Sequence, residues 1–249
     1  MKEMIAVWFS CGAASAVAAK LTLEEYGQTH DVRIVNNPVV NEHPDNLRFL
    51  KDVEKWLGVT IEFATNEKYP ACDIREVFAK HKIMSMRTGY APCTHQLKKE
   101  ARQQWEKRNY PNWHVLGFTV EEINRFNRFV KGERENTLPI LIKAGITKER
   151  CFEIIQEAGI RLPEIYNLGY PNANCIGCVK ATSPTYWNHV RQTFPDIFAQ
   201  RAKQSREIGC RLTRYKGNRI FLDELPADAK GNKMKNLKNI ECGIFCEEK

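Results

Sequence analysis

The spacing of apolar and polar positions changes along this chain, and the changes predict its elements. Ala6 to Phe9 form a continuous apolar run that passes through Ser10-Cys11-Gly12 into an alanine-rich stretch. A strand therefore hands over to a helix through a loop of small residues. Alternation continues downstream, with a strand near Met4 to Phe9, a helix near Ala14 to Tyr26, a strand near Asp31 to Asn37 and a helix from Pro44 to Leu57. A strand from Val59 to Ala64, a helix over Cys93 to Lys107 and a strand from Trp113 to Gly117 follow. This order predicts an α/β fold, a parallel sheet covered by helices.

Beyond residue 120 the pattern turns helical, with helices near Thr147 to Ala158, Pro184 to Phe194 and Pro195 to Ile208. A hairpin with its turn around Lys216-Gly217-Asn218 comes next, then a lysine-rich tail (Lys230, Lys233, Lys235, Lys238) that ends in Glu241-Cys242-Gly243-Ile244-Phe245-Cys246. The expected organisation is an α/β core over 1–140, with a helical and cysteine-rich region over 141–249 packed on it.

A loop of small residues that opens a helix exposes unpaired N–H groups at the positive end of the helix dipole, and this arrangement suits an anion. Ser10, Gly12, Ala13 and Ser15 are the candidates, although a tight βα turn without a ligand accounts for the same small residues. They match neither the Walker loop nor the dinucleotide-binding glycine pattern. In parallel sheets ligands bind at the carboxyl ends of the strands, where this loop falls.

Composition narrows the class. The 249 residues suffice for one large α/β domain or two small ones. No apolar run is long enough to span a bilayer, which predicts a cytoplasmic protein with no membrane partner. Glu3 and the polar Ser10–Gly12 cluster break the first apolar run, so it reads as folded protein and not as a secretory signal. Nine cysteines, an odd number, point to metal or thiol chemistry in place of a disulfide framework. A net charge of +8 suits an anionic partner, nucleic acid included, or a solvated basic face.

Cys175-Ile-Gly-Cys178 is a CxxC in a polar loop, which leaves both sulfurs free to face one ion. Cys93, far upstream at the start of an expected helix, stands where the dipole favours a thiolate. Structural zinc and buried inert thiols are both compatible with these three. Cys11, Cys72, Cys151 and Cys210 read as small buried residues; His43, His95 and His114 read as structural or exposed. Trp105, Trp113 and Trp187 read as core.

Glu241-Cys242-Gly243-Ile244 resembles the carboxy-terminal Glu-Cys-Gly-Leu/Ile-His motif of the sulfonucleotide (PAPS and APS) reductases, which belong to the PP-loop adenine nucleotide α-hydrolase superfamily. Ser10-Cys11-Gly12-Ala13 with Ala16-Val17 is similar to that family's PP-loop. The segments His43 to Leu50 and Leu116 to Glu122 are similar to two further family segments in the same order. The resemblance implies an adenine nucleotide held by the loop with Gly117 and Glu122, and a catalytic Cys242. It also implies a [4Fe–4S] cluster on Cys93, Cys175, Cys178 and a fourth cysteine, Cys246 or else Cys242, with zinc as the alternative. The chain departs from the family at Phe245, Thr119 and Val120. Ala14 stands where ATP-cleaving relatives carry an aspartate. Three readings follow: thiol-dependent reduction of adenylyl sulfate or phosphoadenylyl sulfate with a thioredoxin-like reductant, ATP-dependent thiolation of tRNA or DNA, and a non-catalytic nucleotide-binding protein.

Overall fold

The computed structural model describes residues 2–85 and 91–234. Along the chain the elements are β1 (Met4–Phe9), α1 (Ala13–Tyr26), β2 (Asp31–Asn36), α2 (Asp45–Leu57), β3 (Glu62–Phe63) and α3 (Ile74–His81). Next come α4 (Pro92–Thr94), a π-helical segment (His95–Glu100), α5 (Ala101–Asn109), β4 (Trp113–Val115), α6 (Ile123–Gly132), β5 (Thr137–Leu138), α7 (Ile140–Lys143) and α8 (Lys148–Glu157). The last are α9 (Glu164–Asn167), α10 (Pro184–Thr193), α11 (Pro195–Ile208), β6 (Thr213–Tyr215) and β7 (Asn218–Ile220). They form two compact units, each assembled from segments that alternate along the chain. The first comprises Met1–Pro38, Pro44–Thr65 and Ala101–Glu164; the second comprises Val39–His43, Asn66–Glu100 and Ile165–Lys249.

In the first unit all five strands run parallel in the order β3-β2-β1-β4-β5. Both faces of β1 are covered, which is why its apolar run is continuous instead of alternating. Ile5, Val7 and Phe9 join the core formed with α1, α2 and α8. On the opposite face the Trp8 ring meets Trp105 of α5 edge-on, with centroids 5.6 Å apart. Trp8 also donates its Nε1–H to Nδ1 of buried His114 at 3.1 Å. That bond needs an unprotonated Nδ1, and burial pushes the histidine pKa down to about 3. Helix α1 is buried on most sides, and its alanines allow the sheet and α8 to approach closely.

The second unit is helical, with the β6–β7 hairpin beside α10 and α11. Its core gathers Phe78, Leu97, Ile176, Tyr186, Trp187 and Phe198 among others. Trp105 and Trp187 are buried as expected, whereas Trp113 is only half-buried and donates to Glu3 at 2.8 Å.

The parallel α/β expectation holds, and the departures are local. β3 is shorter than Val59 to Ala64, because the Ile61 N–H is taken by the Glu54 carboxylate of α2 (2.9 Å) and only Glu62 and Phe63 enter the ladder. β4 ends at Val115, because the chain turns at once, with Phe118 N–H donating to the Leu116 carbonyl. The expected helix from Cys93 to Lys107 is helical throughout but takes π geometry over His95–Glu100. Helices α3 and α6 went unpredicted although each carries a start signal. Asp73 caps α3, and Thr119 with Glu122 forms a capping box ahead of α6.

Asp45, in the segment that resembles the reductases, clasps the start of α2. Arg48 holds it with a two-pronged fork, both bonds 2.7 Å, and the Glu164 N–H donates to it at 2.8 Å. The Arg48 hydrogen bonds hold its pKa at about 2. A carboxyl held below its unfolded value stabilises the fold above that value, near 4, and the contribution disappears as pH falls through the folded one. Asp45→Asn is expected to cost about 2 kcal/mol at neutral pH, with the gap from wild type closing between about pH 4 and about pH 2. Urea unfolding of both proteins across that range tests this.

Candidate functional site

Strand order reverses direction between β1 and β4, so the loops leaving their carboxyl ends flank the crevice where parallel sheets bind ligands. After β1 the backbone at Cys11 adopts φ 54°, a left-handed conformation in a residue other than glycine. Asn36, the last residue of β2, secures this turn by donating Nδ2–H to the Phe9 carbonyl (2.8 Å) and to Cys11 Sγ (3.5 Å). Ser15 ties the loop from the other side. Its hydroxyl donates to the Gly12 carbonyl at 2.9 Å and accepts the Ser10 N–H at 3.1 Å. Its single proton is thereby used, so in the 3.2 Å contact between the two hydroxyls Ser10 is the donor.

Gly12 brings no side chain to the start of α1, and the first helical turn contains no acidic residue. The positive end of the helix is thus left for an external anion. The loop after β4 closes on the same turn. A Cβ on Gly117 would lie 2.7 Å from Ser15 N and 2.8 Å from the Ala14 carbonyl carbon. Only glycine fits there without displacing the start of α1.

Glu122 has a different local task. It accepts from the Thr119 N–H (3.2 Å) and from the Thr119 hydroxyl (3.4 Å), and it pairs with Arg125. The structure therefore gathers Ser10, Gly12, Ala13, Ser15 and Gly117 at one helix start and gives Glu122 a capping role nearby.

In the second unit Cys175 and Cys178 are buried and Cys93 half-buried, all against one apolar core. The CxxC loop turns at Gly177, φ 67°, where a Cβ would meet Arg201 Cγ and Ile197 Cγ2 at 3.3 Å. Cys178 N–H donates to the Tyr186 hydroxyl at 2.7 Å. Burial, followed by the Cys178 charge, raises the tyrosine pKa.

Arg201 of α11 is only 1% exposed. Its Nε donates to the Gly177 carbonyl at 3.4 Å, and its Nη1 has no hydrogen-bond partner among the described residues. Burial lowers its pKa, and the first influences acting against that are the charges of Cys175 and Cys93. Asp73 acts in the same sense, and the guanidinium also lies over the Phe78 ring at 6.0 Å; a buried cation so placed suits neighbouring thiols that carry negative charge. Among the described residues no three His, Cys, Asp or Glu side chains gather closely enough to hold a metal ion. Cys242 and Cys246 lie outside the described residues. Cys11, Cys72 and Cys151 are buried and Cys210 is half-buried; no disulfide forms among the seven described cysteines.

A scan of protein-family models and a search of curated proteins both return no match. Solved structures do match. One is the phosphoadenylyl-sulfate (PAPS) reductase from Candida auris in complex with phosphate, at 13% identity and TM-score 0.50, covering 69% of this chain and 80% of that one. Another is the U34-tRNA thiolase NcsA from Methanococcus maripaludis with its [4Fe–4S] cluster, at 9% identity and TM-score 0.45, covering 83% of this chain and 69% of that one. The chain has a PP-loop adenine nucleotide α-hydrolase-like fold.

In that fold Ser10–Gly12 is the connection from β1 to α1. No helix among the described residues is long and apolar enough to cross a membrane. Sequence reasoning passed over Asn36, which shapes the loop, and Arg201, which faces the thiols. Arg201 had a legible signal. It follows Ile197 and Phe198 by one helical turn and precedes Ser205 by another, which places a charge on the buried stripe of α11. Asn36 had none, because its partners Phe9 and Cys11 are distant in sequence.

The packing of Gly117 on the start of α1 gives a direct test. Gly117→Ala is expected to destabilise the fold by about 1–3 kcal/mol through overpacking and to weaken adenine-nucleotide binding, because the first turn of α1 must shift. Denaturant unfolding and titration calorimetry measure the two effects.

Proposed function

We propose that the protein is an adenine-nucleotide-binding enzyme of sulfur chemistry, a sulfonucleotide reductase-like protein acting on adenylyl sulfate or phosphoadenylyl sulfate. The observation that carries this reading is the uncapped start of α1, held open by Ser15 and Asn36 and met by Gly117. Backbone N–H groups there suit a phosphate or sulfate better than a neutral ligand. Ser10 and Ser15 shape the loop, and Glu122 keeps the neighbouring segment in place.

In this reading Cys242 is the nucleophile. Its thiolate attacks the sulfate sulfur, the bond from that sulfur to the phosphate oxygen breaks, and the adenine nucleotide departs with the oxygen. The resulting S-sulfonate is opened by an external dithiol of the thioredoxin type, which supplies two electrons and releases sulfite. Incubation with adenylyl sulfate labelled in its sulfur is expected to leave thiol-releasable label on wild type and none on Cys242→Ser. Absence of label in every variant, together with splitting of ATP to AMP and pyrophosphate in the presence of tRNA or DNA, would replace the reductase by a thiolation enzyme. Nucleotide binding with neither reaction would leave a non-catalytic binding protein.

The CxxC loop and Arg201 support a metal centre in this reading. Cys93, Cys175 and Cys178, which do not gather into a three-ligand group among the described residues, would have to draw together on a [4Fe–4S] cluster with Cys246 as fourth ligand, or on zinc in its place. When bound, a cluster supplies electron-transfer or Lewis-acid chemistry. Arg201 would offset the negative charge of the thiolates, and the Tyr186 hydroxyl fixes the Cys178 backbone. Protein purified without oxygen is expected to contain iron or zinc, and Cys175→Ser to lose most of it. Metal analysis and the visible spectrum read the result, and a Cys175→Ser protein with full metal content would remove the assignment.

A further inference from the structure

The β6–β7 hairpin carries a charge pattern that its own fold does not explain. Lys216 (φ 47°) and Gly217 (φ 81°) both take left-handed backbone, the requirement of a tight two-residue turn that fixes strand register. That register sets Arg214 directly opposite Arg219. Arg214 gives its backbone N–H to the Thr182 carbonyl (2.8 Å) and not across the ladder, so the two arginines form the pair type in which side chains lie closer together. Like charges directly opposite each other destabilise a two-stranded ladder, and a ladder this short has little stability to spare.

Among the described residues no acid pairs with either arginine. The acids that follow, Asp223 and Glu224, are both engaged by Arg206, at 2.9 and 2.8 Å. Among the described residues Arg214, Arg219, Arg211 and Lys216 make no ion pair, and all four are exposed. Two of them lie over aromatic rings of the same hairpin: Arg211 over Phe221 at 5.2 Å and Lys216 over Tyr215 at 5.3 Å. Those stacks keep the cations spread over one short ribbon.

We propose that this hairpin is a nucleic-acid docking surface that grips the phosphodiester backbone. Closely spaced guanidinium groups match successive phosphates and bind each through paired N–H donors, and a polyanion removes the repulsion between Arg214 and Arg219. A lipid surface fits less well, since none of the exposed large apolar residues lies in the hairpin. The proposal does not depend on which reaction the PP-loop serves.

The test is fluorescence anisotropy of the full chain with a labelled tRNA-sized RNA and, separately, a labelled DNA duplex, over a range of KCl concentrations. The variant is Arg214→Thr/Arg219→Thr, in which threonine suits a strand and the repulsion is gone. The expected result is an equal or higher Tm, affinity at least tenfold weaker near physiological salt, and a salt slope shallower by about 1.4–1.8 for two lost phosphate contacts. Whichever of RNA and DNA binds more tightly identifies the natural partner. Unchanged affinity and slope in the variant would overturn the proposal. So would absence of binding by wild type at low salt, or binding to phosphatidylserine vesicles as tight as to nucleic acid.

Discussion

Gly117 carries the constraint on which the first unit depends. Its missing side chain lets the loop after β4 touch the backbone of Ala14 and Ser15, so two neighbouring strand ends and one helix start are locked together. Everything proposed for nucleotide binding requires that contact, because an anion is held by N–H groups whose positions it sets. The hydrogen bonds of Ser15 and Asn36 then fix the loop conformation, including the left-handed Cys11. These groups bind nothing external themselves. They hold a shape in which the backbone can bind.

Arg201 plays a comparable part in the second unit. This guanidinium is buried beside the CxxC loop, where the charges of Cys175, Cys93 and, after them, Asp73 favour its protonated form. Cysteine is neutral unless ionised or metal-bound, so the burial of this charge makes physical sense when the thiols carry negative charge. Gly177 suits the same place, since its φ of 67° strains any other residue and a Cβ there would crowd Arg201 and Ile197 at 3.3 Å. The CxxC is therefore held from behind by a cation and a glycine, and at Cys178 by the Tyr186 hydroxyl.

The loop after β1, the thiols and the basic hairpin differ in how the chain builds them. The loop is local, made within fifteen residues of the amino terminus and completed by Asn36 and Gly117. The thiol group is distributed, drawing Cys93 and Cys175–Cys178 from separate segments of one unit. The hairpin is self-contained, with its register set by Lys216-Gly217.

The sequence by itself determined the parallel α/β class, the handover from β1 through Ser10–Gly12 to α1, helices α8, α10 and α11, and the hairpin turn. All of these rest on periodicity and turn chemistry, which act over a few residues. Local signals at Asp73 and at Thr119-x-x-Glu122 were also present, and the helices they start went unread. Only the tertiary structure decided the strand order and the interleaving of segments into two units. It also decided that Asp45 ties the start of α2 to Glu164 and that Arg201 is buried beside Cys175 and Cys93. Each of those outcomes depends on a partner distant in the chain or on burial that no single residue announces, and a one-dimensional pattern has no term for either.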